Sequence, residues 1–308
     1  MAEQLILHHY PMSPFAEKIR LILGLKMLPW SSVVIPNVMP KPDLTALTGG
    51  YRKTPVLQIG ADIYCDTALI ADVLEQYAPR PTLYPGRAAG ASRILAQWAD
   101  STLFWTAIPY TMQPAGLPHL FEGAPPEAIK AFGDDRTVFR ANMPRMRPAE
   151  ATAALSLYLH RLEEALGDQL FFFGSAPSIG DFSIYHCLWF LTRGGPVAGI
   201  LDSHPKLAAW RERMAVFGHG SHEKLDSGSA VAIARDATAE KSTGNVDSHG
   251  IALGDRVVIA ATDTGVDPIE GTLYGATRDR ISIARQDPRA GSLVVHFPRL
   301  GFELRRVR

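Results

Sequence analysis

The sequence predicts a chain in three parts: a small α/β unit, then an all-α bundle, then a small β-barrel. Three observations predict it. Short β-rich runs alternate with a helical period over residues 4 to about 80. Residues 88 to about 213 read as helix almost throughout, and the breaks carry Pro or Gly. Five short β runs then crowd into residues 251–308. A length of 308 residues fits two or three such modules. The boundaries read as 1–82, 88–220, a linker with a short helix over 221–250, and 251–308.

Composition excludes several classes. Apolar residues make up 46% and charged residues 20%, which is neither a disordered nor a fibrous chain. Lys+Arg and Asp+Glu are both 31, so no bulk charge points to nucleic acid or an anionic membrane. Ser101 to Phe121 lacks formal charge but holds Pro109, Pro114 and Pro118, against a membrane span. Met1-Ala2-Glu3-Gln4 has no basic start or apolar core of a signal peptide. Cys65 and Cys187 make neither a disulfide framework nor a metal-site spacing, and the ten histidines suggest no metal site. A soluble cytoplasmic protein without a metal is expected.

Taken in order, Gln4–His9 is an apolar β run, with His8 and His9 on opposite faces. Phe15, Ile19, Ile22 and Leu23 recur at helical spacing. Ser31–Ile35 is a second strand, and a loop or helix follows. Thr54–Ile59 and Ala61–Tyr64 form a hairpin about Gly60, and Thr67–Tyr77 returns to helix. Pro79–Gly86 is a linker by composition. Helices are expected over Ala91–Thr106, Pro126–Met143, Pro148–Gly167, Asp181–Leu191 and Pro205–Ala215. Ser221–Gly250 is polar, with a helix at Ser229–Ala237. The final strands are Arg256–Ala260, Gly271–Tyr274, Ile281–Ala284, Leu293–Phe297 and Phe302–Leu304.

Three places carry chemistry. Ser13 precedes Pro14 at the start of the first helix. Orphan N–H groups and the positive helix end there favour an anion, a thiolate among them. A plain N-cap explains the same residues. Thr54-Pro55-Val56 places a proline at a strand start. A cis bond would turn the Val56 backbone toward a ligand, whereas a trans proline would simply begin an edge strand. Asp66-Thr67 stands at a strand-to-helix junction. Asp66 could accept from an ammonium group and Thr67 could hold a carboxylate, or the pair could only cap the helix.

Together these motifs resemble the glutathione transferase family in its bacterial cytosolic form. The resembling runs are Ser13-Pro14-Phe15 with Lys18 and Arg20, Thr54-Pro55-Val56-Leu57, Asp66-Thr67, Ala176 to Asp181, and His204 to Trp210. The resemblance covers roughly residues 4–240. It implies a thioredoxin-like first domain, a helical second domain and a homodimer. It also implies glutathione as co-substrate, a thiol near Ser13, and a small apolar electrophile between the domains. Tyr10 is the alternative hydroxyl donor. Phe15, Thr54, Pro55, Val56, Asp66 and Thr67 would then hold the tripeptide, and Lys41, Arg52 or Lys53 would meet the glycyl carboxylate. Two departures stand out: Thr67 replaces the family's Ser, and the loop before Thr54 is Gly49-Gly50-Tyr51-Arg52-Lys53. Ser rather than Cys at 13 excludes exchange through a protein mixed disulfide at that position. Cys65, beside Asp66, is no substitute.

Trp105 and Tyr110, on either side of Pro109, are candidates for the second-substrate pocket. Ser178 and Asp181 read as a structural capping pair for a buried helix. Residues 251–308 carry nine Arg, no Lys and seven Asp+Glu, with Arg299, Arg305, Arg306 and Arg308 toward the end. A Gly-Asp opening into a β run suggests an SH3-like barrel, by fold analogy alone. That module reads as a packing or dimer-extending appendage or a partner-binding unit; net +2 without a stacking pair makes nucleic acid a poor fit. The competing function is a non-catalytic binding or scaffold protein acting through this barrel.

Overall fold

The computed structural model describes residues 4–140, 143–144, 146–242, 244 and 250–307. The first unit runs β1 (Leu5–His9), α1 (Pro14–Leu25), β2 (Trp30–Val34), α2 (Pro42–Thr48), β3 (Val56–Ile59), β4 (Asp62–Cys65) and α3 (Thr67–Tyr77). β1 pairs parallel with β2 and antiparallel with β3, and β3 pairs antiparallel with β4. This is the thioredoxin-like arrangement of a crossover unit followed by a hairpin. Side chains alternate between two cores: Leu5 and Leu7 face α1, α3 and the helical domain, while Ile6 faces α2. Because both faces are covered, His8 and His9 are both buried, on Gln58 Oε1 at 2.8 Å and Ser32 Oγ at 2.8 Å.

The helical domain comprises α4 (Ala89–Trp98), α5 (Phe104–Thr111), α6 (Leu117–Leu120), α7 (Pro126–Arg140), α8 (Pro148–Leu166), α9 (Ile179–Thr192) and α10 (Pro205–Ala215). Residues 141 and 142 of the expected helix to Met143 lie outside the described residues. A π-helical turn, Ala99–Leu103, joins α4 to α5. α9 is apolar on nearly every side and is the central helix, buried except at Phe190 and Thr192. A capping box fixes its start. Asp181 Oδ2 accepts from the Ser178 backbone N–H at 2.8 Å and the Ser178 hydroxyl at 2.7 Å. Asp181 Oδ1 also takes the Phe172 N–H and the Trp210 indole N–H, each at 3.0 Å. By contrast α7 buries no residue. Side-chain bonds to the first domain hold it.

Beyond α10 come β5 (His222–Lys224) and α11 (Ser227–Asp236). β5, which the sequence did not announce, pairs parallel with β2, and α11 packs against α2, β2 and the last strands. Gln58 donates to the Ala230 carbonyl at 2.8 Å. The last strands are β6 (Arg256–Ala261), β7 (Ile269–Ala276), β8 (Arg280–Asp287), β9 (Gly291–Pro298) and β10 (Phe302–Arg306). All five occur where the β runs predict them.

They do not close on one another as the expected small barrel would. Among the described residues the sheet is open and continuous, in the order β10-β6-β7-β8-β9-β4-β3-β1-β2-β5. The free edges of β4 and β9 satisfy each other in parallel, with Asp62 opposite Val294, Ile63 opposite Val295 and Tyr64 opposite His296. An unpaired edge is a liability, and this pairing removes two at once. Period-2 patterning locates a strand but does not choose its neighbour.

At this seam His296 stacks on Tyr64, ring centroids 4.6 Å apart, and its Nε2 lies 2.8 Å from Asp62 Oδ1. Glu240 closes the network: its N–H donates to Asp62 Oδ2 at 2.8 Å and its carboxylate accepts from the Tyr64 hydroxyl at 2.8 Å.

Candidate active site

A cleft of about 1670 Å³ opens between the two domains and the C-terminal extension. At its floor β1 ends and α1 begins. Ser13 has extended backbone (φ −74°, ψ 117°), and its Oγ accepts from the Ala16 N–H at 3.2 Å. Pro14 occupies the first turn, where no N–H is needed. The capping bond uses an oxygen lone pair, so the Ser13 hydroxyl keeps its own proton for an acceptor. Ser13 is only 2% exposed, yet it lines the cleft with Tyr10 and Phe15. The Phe15 ring rests on Phe104 and His186, at centroid distances of 4.7 and 4.5 Å.

The second wall is the start of β3. The Thr54–Pro55 bond is cis. Thr54 and Pro55 line the cleft, while the Val56 side chain is buried in the sheet. The three candidate cations differ sharply here. Arg52 is paired with Asp135 of α7 at 2.7 Å and lies 3.7 Å from Asp267. Lys53 is paired with Asp263 at 2.5 Å. Among the described residues Lys41 has only neutral acceptors, the Arg52 carbonyl at 3.4 Å and the Thr54 hydroxyl at 3.3 Å. Burial first, and then the nearby Arg136 charge, bring its pKa down to about 8 against the pull of Asp135. A buried ammonium without a carboxylate partner is a costly group that an anion would stabilise.

The third element is the corner between β4 and α3. Asp66 holds φ at +77°, uncommon for a residue with a side chain, and caps α3 by accepting from the Ala68 N–H at 2.9 Å. Burial raises its pKa, against the opposing charge of Lys53. Thr67 begins α3, and its hydroxyl accepts from Lys18 Nζ at 3.2 Å.

Lys18 leads to residues that sequence reasoning missed. Its ammonium is fully buried and meets Asp100 Oδ2 at 2.6 Å, and His186 Nε2 lies 2.9 Å from Asp100 Oδ1. Burial alone would raise the Asp100 pKa; Lys18 and His186 more than reverse this and hold it at about 2. Burial keeps the His186 pKa below its ordinary value. Asp100 sits in the π turn and reaches the cleft beside Asp66 and Thr67. No local pattern flags it, because α1, the π turn and α9 meet only in the fold. Arg136 is a second such residue: from α7 it reaches the Asn37 carbonyl at 2.8 Å and the Tyr10 hydroxyl at 3.4 Å.

The second-substrate expectation divides. Trp105 lines the cleft, edge-on to Phe104 at 5.1 Å. Tyr110 does not: it is buried in the helical core, and its hydroxyl donates to the Val197 carbonyl at 2.9 Å. Pro109 does not end the helix: Phe104–Thr111 runs on through it, so Trp105 and Tyr110, five residues apart, lie on different faces. Phe121, Phe132 and Phe139 add aromatic surface. The C-terminal extension forms the remaining wall, through Thr262–Thr264 and Arg299–Gly301.

Away from the cleft, Asp62, Glu240 and His296 place possible metal-ligand atoms within 4.8 Å of one another. Those atoms are committed to each other, to Tyr64 and to Arg280, which meets Glu240 at 3.1 Å. The cluster fastens the seam. Cys65 is fully buried, and burial together with Asp66 pushes its thiol pKa well up, as expected of an inert side chain.

Comparisons with known proteins agree with this layout. The family model described as glutathione S-transferase, N-terminal domain, matches residues 7–82, and that of the C-terminal domain matches residues 149–213. A GST-like protein from Pseudomonas syringae, whose structure is solved, is 44% identical with a TM-score of 0.84, and the match covers 100% of both chains. It therefore spans the five-stranded extension. FtsZ-localized protein A of Caulobacter vibrioides is 28% identical over 106 residues, 32% of this chain and 46% of that relative, so the chain spans less than half of that relative's length. A glutathione S-transferase from Rhodospirillum rubrum shares the fold, at 19% identity and a TM-score of 0.52 over 69% of this chain and 88% of that one. No helix among the described residues is long and apolar enough to cross a membrane.

Proposed function

Because the chain belongs to the glutathione S-transferase family, we propose that it binds glutathione along the cleft floor and adds the sulfur to a small apolar electrophile. The observation that carries this reading is convergence. Ser13, Lys41, Thr54, Pro55, Asp66 and Thr67, far apart in sequence, line one cleft beside an aromatic wall.

The chemistry is within reach of these groups. A thiol of pKa near 8.5 needs a shift of about 1.5 units to be half ionised at neutral pH, roughly 2 kcal/mol. A hydrogen bond from the Ser13 hydroxyl to the thiolate supplies about 1.5–3 kcal/mol, and the N-terminus of α1 up to about 1 more. The proton leaves to solvent, so no general base is required. The sulfur lone pair then forms the C–S bond, and the electrophile's leaving group or π electrons take the displaced pair. In this reading Lys41 meets the glycyl carboxylate, and Asp66 and Thr67 meet the amino-acid end. Phe15 and Trp105 border the electrophile.

Titration calorimetry of the full chain with glutathione tests the proposal. Saturable binding at or below millimolar ligand is expected, and no heat at that concentration overturns it. A second reading is a binding protein that keeps the fold without thiol chemistry. The 2% exposure of Ser13 favours it, as does the kinship to a protein named for FtsZ. Glutathione that binds without any turnover of a panel of electrophiles would select this reading. A cytoplasmic homodimer, usual in the family, is part of the proposal. Such a dimer would form without the edge of β4, which β9 occupies.

A further inference from the structure

The loop between β6 and β7 does more than close a turn. It lies over Arg52 and Lys53, the two residues just before the cis-linked Thr54–Pro55 pair. Asp263 pairs with Lys53 at 2.5 Å, and Asp267 stands 3.7 Å from Arg52. Between them the Gly265 N–H donates to the Phe139 carbonyl of α7 at 2.8 Å. Gly265 adopts φ +58°, and a Cβ there would meet the Phe139 ring at 2.9 Å. Thr264 is 2% exposed. The Lys53 ammonium also lies 5.7 Å from the ring centre of Phe302, on β10 of the same extension. The extension therefore occupies Lys53, while α7 holds Arg52 through Asp135 with Asp267 nearby; among the described residues Lys41 has no carboxylate partner.

We infer that Asp263 is a specificity-determining residue: it withdraws Lys53 from the ligand's glycyl carboxylate, so that the cleft reads that group through Lys41. The inference rests on the glutathione reading above. Lys53 and Asp263 are 18% and 48% exposed in their side chains, so the pair is accessible but partly shielded. A ligand carboxylate that approached Lys53 would have to displace Asp263 and would meet its charge at close range. Lys41 presents the opposite case, a buried cation that, among the described residues, gives up two long bonds to neutral oxygens and no ion pair.

The test is glutathione affinity, measured by calorimetry on the full chain in four forms. These are wild type, Asp263→Asn, Asp263→Glu, and Asp263→Asn combined with Lys53→Gln. Asn keeps the shape of the side chain and removes its charge. Asp263→Asn is expected to bind roughly 2- to 5-fold tighter, the range set by a partly exposed ion pair. Asp263→Glu should match wild type, and the double variant should lose the gain. Unchanged or weaker binding in Asp263→Asn overturns the inference, as does a gain that persists without Lys53; either leaves the glutathione reading intact. Absence of binding in all four forms removes both.

Discussion

Lys18 Nζ and Asp100 Oδ2 stand 2.6 Å apart and pin α1 of the first domain to the π turn of the second, directly beneath the Asp66–Thr67 corner. The Lys18 side chain is fully buried and that of Asp100 is 19% exposed. Removing one partner strands the other. Asp100→Ala should therefore cost roughly 3–5 kcal/mol, read by denaturant unfolding. The acid limb gives the sign. The Asp100 pKa is lowered in the folded state, so its contribution is complete above the ordinary carboxylate range and fades as pH falls toward about 2. Asp100→Asn should flatten that limb. An unchanged acid limb would mean that other carboxylates carry it.

Lys41 sets function against stability. Its pKa falls from 10.5 to about 8 on folding, so the charged form costs roughly 3 kcal/mol at neutral pH, and stability rises as pH passes through 8 toward 10.5. Lys41→Met should raise the unfolding free energy by roughly 1–3 kcal/mol and abolish ligand binding. S-methylglutathione, which has no thiol to titrate, should bind the wild type more weakly as pH climbs above about 8. Titration calorimetry across pH 6–10 checks this, with Lys41→Arg, whose charge does not titrate, reporting the loss due to the ligand's own ammonium group; the wild type should lose more than that variant.

Ser13→Ala should raise the pKa of bound glutathione by about 1–2 units, the worth of one charge-assisted hydrogen bond. Thiolate absorbance against pH measures it directly. A titration identical to that of the wild type would shift the role to Tyr10 or the α1 backbone.

The seam between β4 and β9 makes the extension part of the folded unit. Truncation after Gly250 would expose the β4 edge and uncover Ile63 and Cys65, which share a core with Val257, Ile283 and Val295. The shortened chain is expected to elute as large oligomers or fail to stay in solution, against a discrete species for the full chain in size-exclusion chromatography. A milder version, His296→Ala, should lower the melting temperature by several degrees, because Asp62 loses its buried partner.

Residues close in sequence carried much of this protein. The period of α1, the hairpin at Gly60, the cap at Ser13 and the box at Ser178–Asp181 are local physics, legible because side chains a few positions apart decide them. The five late strands were legible for the same reason. Tertiary structure decided the rest. It opened the expected barrel by giving β9 the edge of β4, and it turned Tyr110 into the helical core. It took Arg52 and Lys53 out of the list of free cations, and it assembled Lys18, Asp100 and His186 from three separated segments. Edge pairing, burial and ion pairing depend on which distant groups arrive within a few ångströms, and no spacing along the chain encodes that distance.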